Sequence, residues 1–487
     1  MNDIKLIKLL KTFSASEFSE FERFVNSPFF STGRNLSDFF KCLKPFYPEF
    51  DNKNLSEEKI FLKLFPGKKI DPKTSVNLIH KFSSELHKLG KEYLIQTELR
   101  NDEGRKYFYL LNKLREKKLF SEFDREYKNS SSAGDNIYKG GVNDFINRYY
   151  LMQSYIEYCI DKGDIENVFR SINSLAELSA VTFLIKGYRN IDTNNAALGF
   201  NIHTGYNLAD NLISHLNSEG MLRDMKQNND IYYPYVAVSH AIYKMVSDPD
   251  DIDRFFNMKK LVYKYMDLFG HTEQYILFNT MINYCILNLD GKYHDLLIKE
   301  EFEIYRKIFE LGVYKYKDTD MIHINNFRSI LLSAIDNGEL DWAENFVKDH
   351  IEEMHSEYQE NMKFYSMAII HFEKGEFEKS LENITKVKYD FFLFKMDVKI
   401  TMFKIYFELE LYDQAYSIID TLKHYISNSR DLSDIMKHRG SNFAKYGTKL
   451  LNEKTRDHDA DPGLFIEMIS SENHLGSKSW FLKKLSQ

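Results

Sequence analysis

Fifteen histidines, three cysteines and 72 acidic residues supply the raw material for a catalytic or metal site, so their spacing comes first. His350 and His355 stand five apart, which on a helix points them about 140° from each other. With Glu352 and Glu353 beside them they read as a solvated helix face. His80 and His87 share a face, but no carboxylate or thiol joins them at ligand spacing. Asp457-His458-Asp459-Ala460-Asp461-Pro462-Gly463 resembles the opening of a calcium loop. Pro462 and Met468 stand where that loop needs glycine and glutamate, and Asp461 with Pro462 reads better as a helix start. Gly67-Lys68-Lys69 lacks the upstream glycine of a phosphate-binding loop. No HExxH, GxSxG or GxGxxG occurs, and Cys42, Cys159 and Cys285 lie more than a hundred residues apart without a CxxC pair. The expectation is a non-catalytic chain with no cofactor and no metal. Triads assemble in space, so sequence lowers the case for an enzyme without closing it.

One charged pattern offers binding chemistry. Lys73, Asn77, Lys81, Ser84, Lys88 and Lys91 recur at helical spacing and form a polar, basic stripe. Residues 1–100 hold 17 Lys+Arg against 13 Asp+Glu, about +4 within a chain of net charge -7. The overall charge excludes a protein that coats nucleic acid along its length. A local helix-turn-helix-like unit over about 35–44, 57–65 and 72–95 stays open as an alternative: a transcriptional regulator with a repeat region for sensing or dimerisation. The plainer reading of the stripe is a solvated helix face.

The elements that must carry these residues are helices. Only 8 Pro and 21 Gly in 487 residues leave few strand-turn signals. Ser14-Ala15-Ser16-Glu17 is a capping box, flanked by Phe13 and Phe18 as a hydrophobic staple. The helix it opens should stop near Asn26-Ser27-Pro28. Ser56 caps another helix, and Asp71-Pro72 opens the one that bears the lysine stripe. Asn129-Ser130-Ser131-Ser132-Ala133-Gly134 through Gly141 reads as a flexible linker. Asp144 to Ile160 is helical, about Lys186 to Tyr206 reads as an irregular loop, and Asp248-Pro249-Asp250-Asp251 caps a helix from Ile252. The expected division is 1–128 as an N-terminal helical domain, 129–142 as linker, 143–271 as irregular helical repeats, 272–428 as regular repeats and 429–487 as capping helices.

A recurring turn defines the regular part. Asp336-Asn337-Gly338-Glu339-Leu340-Asp341-Trp342-Ala343 matches Glu373-Lys374-Gly375-Glu376-Phe377-Glu378-Lys379-Ser380, and Leu409-Glu410-Leu411-Tyr412-Asp413-Gln414-Ala415 follows. The small residues Ala343, Ser380 and Ala415 are spaced by 37 and 35. Glycine suits a left-handed helix end, an apolar residue two positions on starts the next helix, and the small residue lets helices approach. The segment resembles tetratricopeptide repeats over about 272–428, with weaker turns at Gly163 and Gly291. It departs from that pattern in lacking the closing proline, in Leu331 and Phe403 where a small residue such as Ala368 is expected, and in Glu410 where glycine is expected. The resemblance implies an all-α fold, an N-terminal helical domain followed by an α-α superhelix, whose surface binds a protein or peptide partner. Asn361, Lys363, Lys399 and Lys404 are the candidate contacts. Ser27-Pro28-Phe29-Phe30 is similar to an element that opens large, uncharacterised helical proteins of Gram-negative bacteria, from which no function follows.

Aromatic residues make up 15% of the chain, with 39 Phe and 32 Tyr, and helical arrays bury such rings between successive helices. Sparse, unpaired cysteines suit a reducing compartment. No apolar run of membrane-spanning length stands out, so no membrane contact is expected and the cytoplasm is the expected location.

Overall fold

The computed structural model describes residues 4–30, 36–68, 71–132, 140–198, 202, 205–289, 291–317, 319–388, 392–429, 432–455, 462–472 and 475–486. Among the described residues there are 24 α-helices and no strand; one isolated bridge pairs Ile322 with Met354. The chain divides into two compact units, residues 1–133 with 150–168, and residues 134–149 with 169–487.

The first unit contains α1 (Lys5–Lys11), α2 (Ala15–Val25), α3 (Leu36–Leu43), α4 (Glu57–Leu64), α5 (Pro72–Asn101), α6 (Glu103–Glu116) and α7 (Phe120–Ser132). Local signals place these ends. Ser14 accepts from the Glu17 amide while its own amide donates to Glu17 Oε2 at 2.7 Å, completing the capping box. Ser56 caps α4, and Asp71 accepts from the amides of Lys73 and Thr74 at the start of α5. Helix α5 packs against α1, α2, α3 and α4 through Ile79, Phe82, Leu86, Leu89 and Tyr93. Phe21 meets Phe13, Phe40 and Tyr93 with ring centroids 5.4–5.5 Å apart, the tilted and edge-on geometries that aromatic quadrupoles favour.

The next helices are α8 (Val142–Lys162) and α9 (Ile165–Leu198), followed by α10 (Leu208–His215), α11 (Ser218–Gln227), α12 (Tyr233–Ser247) and α13 (Ile252–Tyr265). The segment expected as a loop from 186 is helical to Leu198. Its asparagines do not break the helix because Asn190 and Asn194 donate to the two oxygens of Asp210, each at 2.8 Å, tying α9 to α10. Of the expected linker, Asn129–Ser132 finish α7 and the Gly140 amide donates to the Leu268 carbonyl; residues 133–139 lie outside the described residues. The stretch Ile165–Ile191 is long and apolar enough to cross a membrane, where none had stood out in sequence. Leu178, Val181, Leu184, Ile185 and Tyr188 are buried inside the fold, so core packing accounts for part of that apolarity.

From His271 onward helices come in pairs: α14 (His271–Leu287) with α15 (His294–Leu311), α16 (Ile324–Asp336) with α17 (Leu340–His350), α18 (Ser356–Glu373) with α19 (Phe377–Ile384), and α20 (Phe392–Glu408) with α21 (Tyr412–Asn428). Each helix packs on its successor, and alternate helices also meet, α16 on α18, α18 on α20 and α20 on α22 (Asp434–Thr455). Then come α23 (Pro462–Ser471) and α24 (Lys478–Leu485). Ala343, Ser380 and Ala415 are fully buried, as close helix approach requires.

The turns repeat atom for atom. At Gly338, Gly375 and Glu410 the backbone is left-handed, with φ of 73°, 76° and 58°. The next amide then reaches back five residues: Glu339 to Ala334 O, Glu376 to His371 O and Leu411 to Tyr406 O, at 2.8–3.0 Å. This helix-ending bond pattern satisfies carbonyls that would otherwise be orphaned. Gly163 shares it, and so does Lys118 between α6 and α7, which the glycine pattern passed over. Gly291 is not left-handed, so α14 and α15 are joined by a different turn; Gly312, which ends α15 ahead of the next pair, is left-handed. Phe403, where the repeat pattern expects a small residue, is fully buried because Gly447 on α22 makes room. A Cβ there would lie 3.0 Å from the Phe403 ring.

Candidate interaction surfaces

The alternate helices α16, α18 and α20 bring a set of charged groups together. The Arg328 guanidinium pairs with Asp397, and Tyr365 donates its phenol to the same carboxylate oxygen at 3.4 Å. Burial beside that carboxylate pushes the Tyr365 phenol well above its ordinary range. One to two turns further along α20, Lys404 pairs with Glu373 at 3.7 Å and lies over the Phe372 ring, 4.3 Å from its centroid. Burial pulls the Lys404 ammonium down from its ordinary value, against the attraction of Glu373 and Asp336. At the end of α20, Glu408 accepts from the Trp480 indole at 2.8 Å and from Lys484 Nζ at 2.7 Å. Both charges are nearly withdrawn from solvent, Glu408 at 10% and Lys484 at 14% exposure. Trp480 also sits edge-on to Phe403 and Phe407, so α24 is docked onto α20 by a ring and an ion pair together.

The four contacts expected from sequence go to separate places. Asn361 accepts from the Lys388 amide at 2.8 Å, fastening the segment after α19 to α18. Lys399 donates to Thr421 on α21 at 3.0 Å, and burial lowers its ammonium. Lys404 joins the Glu373 pair just described. Lys363 is exposed. Arg328, Tyr365, Asp397, Glu408 and Lys484 were not anticipated. Their partners lie 32 to 76 residues apart in the chain, and no local spacing encodes that.

In the first unit, Lys73, Asn77, Lys81, Ser84, Lys88 and Lys91 are all exposed on one face of α5. The opposite face carries the core residues named above. Beside the stripe, burial, with Lys91 and Lys5, lowers the His87 imidazole from its ordinary value. A cavity of about 310 Å³ opens elsewhere on this unit, lined by Glu20, Arg23, Phe24, Phe30, Tyr93 and Arg100 among others. The Ser-Pro-Phe-Phe element borders it through Ser27 and Phe30, while Phe29 is 86% exposed.

The other candidate chemistry disperses. His350 bonds Glu353, and His80 lies 3.5 Å from Glu57. No group of three or more His, Cys, Asp or Glu among the described residues could hold a metal. The calcium-like segment at 457–461 lies outside the described residues. Burial pushes the thiols of Cys42, Cys159 and Cys285 up, away from the thiolate form a nucleophile needs. Glu301 on α15 is only 6% exposed, and burial raises its carboxyl to about 8, with Asp336 adding to the effect.

No family model matches this chain, and no curated protein or solved structure does either.

Proposed function

We propose that this chain is a non-catalytic interaction protein, a tetratricopeptide-like solenoid whose helical-repeat surface holds a protein or peptide partner in the cytoplasm. The observation that carries this reading is the succession of helix pairs from α14 to α21, three of which, from α16 onward, close on the same left-handed turn and touch through alternate helices. Such stacking creates an extended surface lined by one helix of each pair, the usual seat of a peptide in helical arrays. Lys363 is the exposed candidate on that surface. Asn361, Lys399 and Lys404 act as fasteners beneath or beside it, so contact with a partner would come from the groups around them.

The test is site-specific photo-cross-linking in the native cells, with the reactive side chain placed at position 363 and, for contrast, at exposed Lys483 on α24. A single protein captured from 363 and absent from 483 supports the reading. No capture from 363, together with unchanged growth when Lys363 is reversed to Glu, overturns it.

A further inference from the structure

We infer that the exposed face of α5 is a binding site for duplex DNA, with Lys73, Lys81, Lys88 and Lys91 meeting phosphates and Asn77 and Ser84 supplying hydrogen-bonding groups between them. This rests on the first unit alone and is independent of the repeat-array reading. At 3.6 residues per turn the six side chains fall within an arc of about 80°, and the stretch from Lys73 to Lys91 spans about 27 Å. No acidic residue of α5 falls inside that arc; Glu85 and Glu92 project to its side.

The stripe differs from the lysines of the unit that sit in ion pairs. Lys41 pairs with Asp38, Lys106 with Glu103 and Lys113 with Glu116, each within 3.1 Å and three residues away. Among the described residues Lys73, Lys81, Lys88 and Lys91 have no such partner. Lys88 and Lys91 instead stand three apart as like charges, an arrangement that repels within a helix. Burial first, and then the charges of Lys91 and Lys5, lower the imidazole of His87 beside the stripe.

The groups between the lysines decide what kind of anion fits. A helix that lies on a membrane needs large apolar side chains flanking its lysines. Here an amide and a hydroxyl stand between the lysines, groups that bond phosphate and base edges, while Ile95, exposed one turn beyond Lys91, extends the same face with an apolar side chain. The core helices α3 and α4 pack behind α5, leaving its outer face presented as in a helix that enters a groove. A helix of roughly 10–12 Å diameter suits a major groove about 12 Å wide.

The experiment uses the full chain and a fluorescein-labelled duplex of about 24 base pairs, followed by anisotropy between about 50 and 200 mM salt. Four phosphate contacts predict a slope of log K against log salt of roughly −3 to −4. The variant K73E/K81E/K88E/K91E should bind at least about tenfold more weakly with its melting curve intact, since all four side chains are exposed. Should that variant melt early, K73Q/K88Q provides the second measurement, with a slope shallower by about 2. Absence of duplex binding at the lowest salt overturns the inference. So does a quadruple variant that binds like the parent, or phosphatidylserine vesicles binding as tightly as the duplex.

Discussion

Glu410 holds a left-handed backbone that its equivalents Gly338 and Gly375 adopt without strain. For an L-residue that conformation costs roughly 1–2 kcal/mol, partly offset by the larger unfolded-state entropy of glycine. Glu410→Gly should therefore raise stability by about 0.5–1 kcal/mol, while Gly375→Ala should lower it by about 1 kcal/mol; opposite shifts in thermal midpoint check both. Glu301 makes a different prediction. The unfolded chain releases this proton in the ordinary carboxylate range, whereas the fold retains it up to about 8. The folded state thus binds more protons between those values, and stability falls as pH rises through that window. Glu301→Gln does not titrate, so its advantage in midpoint should be small at pH 5 and grow towards pH 8. An advantage independent of pH would remove burial of this carboxyl as the cause.

Helix ends and helix contacts set the next scale. Ala343 is fully buried on α17, so Ala343→Leu should force α16 and α17 apart at a cost of about 1–3 kcal/mol, read in a denaturant titration. Trp480→Ala removes the ring that seats α24 on Phe403 and Phe407, and strips Glu408 of one of its two donors. Limited proteolysis should then cut before α24 at a protease concentration that leaves the parent whole. Much at this scale could be read from sequence because it is local chemistry: the Ser14–Glu17 capping box, Asp71-Pro72, the glycine turns and the buried small residues. What escaped followed from distance. Asn190 and Asn194 look like loop residues until Asp210 faces them across a helix pair. Lys118 and Glu410 turn like glycine where the helices on either side pack on each other, α6 on α7 and α20 on α21. Lys399 and Lys404, read as partner contacts, have near neighbours 22 and 31 residues away, Thr421 and Glu373, which only the fold supplies.

Over the whole molecule, each of the two units carries one of the two binding readings, and each can fail without the other. The repeat region adds a property of its own. A row of helix pairs in which each touches only its neighbours behaves like a chain of weakly coupled segments, free to open one at a time from either end. The Arg328–Asp397 pair joins α16 directly to α20, and Tyr365 of the intervening α18 bonds the same carboxylate. Opening the middle pair exposes both charges at once, so three successive pairs become a single cooperative block. Native-state hydrogen exchange should accordingly give the slow amides of α16, α18 and α20 one shared opening free energy. Arg328→Met with Asp397→Leu, which replaces the link by apolar volume, should split that value into separate ones even where overall stability is kept.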